Sequence, residues 1–178
     1  RDLSGIWLRD GGDRSISATA PPLTPEGEAR MARNVTAGRS RNSLAPVASS
    51  PGLSNDPTLS CNPRGFPRLL VDTAHDVHEV IQLDGRILQL WQEERRPREI
   101  WMDGRAVPSG DNLDNIGPAW YGHSVGEWQG DTLVVQTVGL DDRAWVDLYG
   151  YPKSTDARVE ERYRRVDADT LEIELTLY

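Results

Sequence analysis

Polar and apolar residues alternate most regularly at the end of the chain, in TLEIELTLY. Leu171, Ile173, Leu175 and Leu177 fall on one face, and Thr170, Glu172, Glu174 and Thr176 on the other. A period of two marks a strand with one buried side. The preceding ARVEERYRRV is predicted to pair with it through a turn at Asp167-Ala168-Asp169. In that strand Val159, Glu161, Tyr163 and Arg165 share the less polar face, so they are expected to point inward. Shorter runs of similar character precede this hairpin: LSGIWL, RLLVD, DVHEVIQL, RILQLWQEE, REIWMD, a strand over 119–128 and TLVVQTV. Turn chemistry separates several of them, at Asp84-Gly85, Arg96-Pro97, Asp103-Gly104 and Gln129-Gly130-Asp131. One helix is expected over 25–34, with Thr24 as its cap and Pro25 at its first position. Residues 35–67 are rich in Ser, Asn, Pro and Gly and read as a long excursion covering part of the domain. A polar loop is expected between Gly104 and Pro118.

Eight or nine short strands, tight turns and one helix predict an all-β antiparallel barrel or half-barrel. The chain reads as one domain, 1–178. Its first part, 1–67, holds a strand, the helix and the long loop, and 68–178 form the β-meander core. A length of 178 residues is enough for a real core. The net charge of −8 repels phosphate backbones, which argues against a nucleic-acid partner. No run of about 18 apolar residues is present, so no membrane span is expected. The single cysteine, Cys61, excludes an internal disulfide. A start at Arg1 rather than Met suits a processed or trimmed precursor.

Candidate chemistry centres on WYGHSVGEWQGDTLVVQTVGL, residues 120–140. Tyr121, His123, Val125 and Glu127 have one parity, and Gly122, Ser124, Gly126 and Trp128 the other. The small face allows a backbone or ligand to approach closely. His123 is either a general acid or base or a hydrogen-bonded structural residue. In the final hairpin, an inward Glu161 and Arg165 need pairing, because desolvating an ion costs several kcal/mol. They form either an ion pair near the rim or, with Tyr163 between them, the polar wall of a cavity. The catalytic candidates are therefore His123, Glu161 and Tyr163. Tyr121, Arg165, Trp128, Trp101 and Trp91 are the ligand-binding candidates, because Trp and Tyr join an apolar body to a polar tip.

Other constellations point to less. His75 and His78 lie three apart and would face opposite ways on a strand, so a shared metal is not expected. Asp111, Asp114 and Asn115 miss the EF-hand spacing. Asp141, Asp142 and Asp147, around Trp145, read as solvated loop acids or as carboxylates at a barrel mouth. No G-x-S-x-G, P-loop or G-x-G-x-x-G pattern occurs, and no cofactor is expected.

Six segments in order carry a resemblance: LSGIW, PPLTPEGEAR, NDPTLSCNPRGFPRLL, RILQLWQEERRPREIWMDGR, WYGHSVGEWQGDTLVVQTVGLDDRAW and YGYPKSTDARVEERYRRVDADTLEIELT. Together they resemble a large family of exported β-rich proteins from soil and environmental bacteria. The resemblance covers nearly the whole chain and implies a secreted or periplasmic location. Two positions depart from the family pattern. Gln129 stands where a Glu is common, and Lys153 where a His is common. Gly5-Ile6-Trp7 is also similar to the opening of lipocalin-like barrels.

These readings predict a secreted or periplasmic pocket protein acting on a small, partly apolar, aromatic or terpenoid-like molecule. In its catalytic form the chemistry is acid–base, of the isomerase, lyase or hydratase type. His123 would move the proton, Glu161 would orient it, and Arg165 would hold a polar substituent. A carrier without turnover and a cell-envelope interaction protein with a filled barrel are the alternatives.

Overall fold

The structure is a computed structural model that describes residues 2–11, 14–38, 45–72, 77–94 and 96–178. Eight strands form one sheet in sequence order: β1 (Gly5–Leu8), β2 (Val77–Leu83), β3 (Arg86–Trp91), β4 (Arg98–Trp101), β5 (His123–Gln129), β6 (Thr132–Val138), β7 (Val159–Arg165) and β8 (Leu171–Leu177). The sheet curls into a nearly closed all-β barrel, and β1 and β8 are its two unpaired edges. Six of the seven pairings are antiparallel. The exception is β4 with β5, which run parallel with Ile100 opposite Ser124. A parallel neighbour needs a crossover rather than a hairpin. The chain supplies it with helix α3 (Gly110–Ile116), inside the stretch expected to be a plain loop.

Helix α1 (Pro25–Met31) starts as expected, with Thr24 Oγ1 accepting from Gly27 N at 3.1 Å. RLLVD is not a strand. Residues Arg68–Val71 form the single-turn helix α2, which follows a cis Phe66–Pro67 bond. Its Leu69 is fully buried, so the apolar run that suggested a strand packs as a plug instead. The strand expected over 119–128 begins only at His123. Gly122 adopts φ +65° and breaks the alternation before it. No helix among the described residues is long and apolar enough to cross a membrane.

Register places the interior residues. Val80 faces Gln89, Ile87 faces Ile100, Gln89 faces Arg98 and Val135 faces Glu161. Two apolar clusters result. One gathers Leu3, Trp7, Val80, Ile87, Ile100 and Tyr163, and the other Phe66, Leu69, Trp91, Tyr121 and Val159. Along β3, β4 and β7 the polar Gln89, Arg98 and Glu161 sit between them. A third cluster, including Met31, Val146 and Tyr151, packs α1 on the chain between β6 and β7.

At Gly122 a Cβ would lie 2.6 Å from the Val138 carbonyl oxygen and 2.7 Å from Thr137 Cγ2. Gly122→Ala therefore adds a clash to a left-handed conformation, and should destabilise by about 2–4 kcal/mol. Urea unfolding should show a lower midpoint at unchanged slope. A midpoint equal to that of the parent would show that the turn relaxes freely.

Candidate functional site

The middle of the barrel is filled. Arg98 and Glu161 are 1% and 0% exposed, and Arg98 Nη2 lies 2.5 Å from Glu161 Oε2. Arg98 Nη1 donates to Glu161 Oε1 and to Gln89 Oε1, both at 2.9 Å, and Nη2 donates to Ser124 Oγ and Thr137 Oγ1, both at 3.0 Å. The Tyr163 hydroxyl donates to Glu161 Oε1 and accepts from Gln89 Nε2 at 3.0 Å. The guanidinium also stacks on Phe66, 3.8 Å from the ring centre. Burial, reinforced by Glu161, holds the Tyr163 hydroxyl far above its usual range. Burial opposes the Arg98 charge, but Glu161 outweighs it, so the guanidinium stays protonated. Both Glu161 oxygens are thus engaged, and no member of this network reaches the cavities described below.

The network brings Glu161 and Tyr163 together, as their shared face predicted, but with a different arginine. Arg165 is exposed at the rim, with its guanidinium 5.2 Å from the Trp7 ring centre and Nη1 donating to Asp2 O at 3.1 Å. Nor does His123 join Glu161. Ser124 points inward to Arg98, so its neighbour His123 points out of the barrel wall. There His123 Nε2 lies 2.9 Å from the Gly117 carbonyl oxygen, just after α3. The single shared space expected for His123, Glu161 and Tyr163 does not form.

The ligand-binding candidates are likewise dispersed. The Tyr121 hydroxyl donates to Glu94 Oε2 at 2.8 Å, and burial followed by Glu94 raises its pKa. Trp101 lies on the outer face beneath Arg105 and Arg86, whose guanidiniums are 3.8 and 6.0 Å from its ring centre. Trp128 packs half-buried on the Leu3 end of the core. Trp91 is buried and stacks on His78, with centroids 5.5 Å apart.

His78 of that stack also lines a cleft of about 530 Å³ in the open seam between β1 and β8. Trp7, Val71, His78, Leu171, Ile173 and Leu175 supply much of its wall. Arg165 on Trp7 bridges the seam at one end, and Arg9 donates to the Val71 carbonyl at the other. Burial depresses the His78 pKa to about 4, so its ring is neutral. Neither His78 Nε2 nor Trp91 Nε1 has a partner among the described residues. Sequence reasoning weighed His78 only as a metal ligand, and His75 and Asp76 beside it lie outside the described residues. The available signal was its place on β2, two residues before the buried Val80.

The loop acids correct another expectation. Asp141 and Asp147 are buried rather than solvated. Asp147 accepts from Ser15 Oγ at 3.1 Å and Tyr149 N at 2.9 Å, and burial raises its pKa. Asp111 and Asp114 are exposed on α3, and no group of three or more His, Cys, Asp or Glu among the described residues could hold a metal.

The fold and its seam thus define an all-β barrel with a filled centre and an open side. No family model matches the chain, and no curated protein or solved structure is significantly similar to it.

Removing one partner of a buried ion pair leaves the other uncompensated. Glu161→Leu and Arg98→Met should each destabilise by about 3–5 kcal/mol, and the double variant should recover much of that loss. Urea unfolding of the four proteins reads the cycle. Additive losses in the double variant would show that the two charges are not coupled.

Proposed function

We propose that this barrel binds a small, partly apolar molecule in the cleft between β1 and β8. The observation that carries the reading is the neutral His78 on the wall of a recess of mixed polar and apolar lining, with its Nε2 buried just behind that wall and unpartnered among the described residues. Buried polar atoms are normally satisfied, and an orphan beside a recess is a place a ligand atom can reach once the ring turns. The Trp91 indole N–H behind it can only donate, whereas the His78 ring can accept or donate according to its tautomer. A hydroxyl or carbonyl on a ring-sized apolar body suits this pair. An aromatic or terpenoid-like molecule has that chemistry. The resemblance to exported proteins supports an encounter outside the cytoplasm.

Binding without turnover is favoured over acid–base catalysis. Glu161 and Tyr163 are consumed by Arg98, and His123 faces the opposite side of the wall. The cleft itself offers His78, with Arg9, Asp10 and Asp169 around it.

1-Naphthol, with one hydroxyl on an aromatic body, is a direct probe. Calorimetry should detect binding to the parent protein, and both Leu171→Trp, which fills the mouth, and His78→Phe should weaken it about tenfold or more, or about 1.4 kcal/mol. Equal affinity in all three proteins would remove the cleft as the binding site. Native mass spectrometry of freshly isolated protein should show a co-purified small molecule that Leu171→Trp excludes.

Burial of His78 also has a pH signature. The unfolded chain protonates near 6.5 and the folded one near 4. The stability tied to the neutral ring is therefore full above pH 6.5 and is lost as pH falls towards 4. The unfolding free energy of the parent should drop by roughly 2–3 kcal/mol more than that of His78→Gln across this window. Parallel pH profiles for the two proteins would contradict the burial of an uncharged imidazole.

A further inference from the structure

Lysine is almost never fully buried unless paired. Of the 20 Lys and Arg residues here, 19 are Arg, and the single lysine, Lys153, is only 6% exposed. Its Nζ donates to the Ala144 carbonyl oxygen at 2.5 Å and takes part in no ion pair among the described residues. The nearby acids are already claimed. Arg143 Nε holds Asp141 Oδ1 at 2.9 Å, and Arg30 Nη2 holds Asp142 Oδ2 at 3.0 Å. An ammonium has three donors, and here one is met, by a neutral acceptor.

Four charged groups act on this amine from the surrounding elements. Asp141 and Asp142, after β6, favour its charge, while Arg30 of α1 and Arg68 of α2 oppose it. Burial is the largest influence, and it brings the pKa from 10.5 to about 8. Lys153 also forms part of the wall of a second cavity, of about 430 Å³, bounded by the N-terminal segment, the chain after β6 and the end of β8. Ile16, Leu23, Val146, Tyr151 and Leu177 make that wall mainly apolar.

We propose that Lys153 is a reactive amine that condenses with a small apolar aldehyde or ketone held in this cavity. The nitrogen lone pair adds to the carbonyl carbon and gives a carbinolamine. Loss of water, made of the carbonyl oxygen and two protons from the amine, then leaves an imine. The arginine-only remainder of the chain makes Lys153 the sole side chain capable of this step. The cavity shares only Leu175 with the seam cleft, and Leu171 is not in its wall, so Leu171→Trp leaves it open.

Benzaldehyde with cyanoborohydride, applied to the full chain near neutral pH, tests the proposal. Reduction fixes the imine as a benzyl group, and peptide mapping separates Lys153 from the terminal α-amine. Labelling at Lys153 should be about tenfold faster in the native protein than in the guanidinium-unfolded one, because the neutral fraction is larger. Toluene, which matches the ring but lacks the carbonyl, should slow it by competing for the cavity. Lys153→Arg should lose the internal adduct and keep the terminal one. An unlabelled Lys153, a native rate no faster than the unfolded rate, or indifference to toluene would each overturn the proposal, and all three readouts use the parent protein.

Discussion

The ion pair between Arg98 and Glu161 is the constraint on which the rest of the barrel rests. Neither charge touches water, so each depends on the other and on neutral partners from β3, β5 and β6. Those partners arrive only if several strand registers hold together. A slip of one residue in β7 would turn Glu161 outward and bring Glu160 or Arg162 inside. The pair therefore acts on the uniqueness of the fold more than on its net stability, for which an apolar replacement could serve as well.

Filling the centre also decides where a ligand can go. In an eight-stranded barrel the interior is just wide enough for side chains or one small molecule. Here Arg98, Gln89, Glu161 and Tyr163 take that volume, and Phe66 and α2 close one end. The remaining space lies where closure fails. β1 has four residues against seven in β8, and it pairs only with β2. At one end Arg165 on Trp7 spans the seam in place of a ladder of backbone bonds, at the other Arg9 ties β1 to α2, and the cleft lies along this opening.

The long excursion before the meander is tied to α2 by a buried ion pair. Arg68 is held by both oxygens of Asp56, at 2.8 and 2.7 Å, and by Asp72 at 3.0 Å. Arginine suits such burial because it keeps its charge and its fork of donors, whereas a buried lysine yields its proton. This difference sets Lys153 apart from the buried arginines around it. Asp141 and Asp147, which a reading of the loop alone left in solvent, are buried as well.

Alternation along the chain determined most of the strands, their turns and the inward face of the last hairpin. The period of two is a local property, and Leu171 to Leu177 or Val159 to Tyr163 display it without help from other segments. The buried polar layer was half legible, since Glu161 and Tyr163 were assigned inward while their true partner stood 63 positions away in sequence. Arg165 is the nearer candidate in sequence, but the rim leaves it exposed on Trp7. Only the tertiary structure decided that RLLVD would plug the barrel, that β4 and β5 would run parallel, and that Gly122 would shift His123 to the outer wall. Each of these depends on a pairing between distant segments or on one backbone angle, and neither leaves a periodic trace in the sequence.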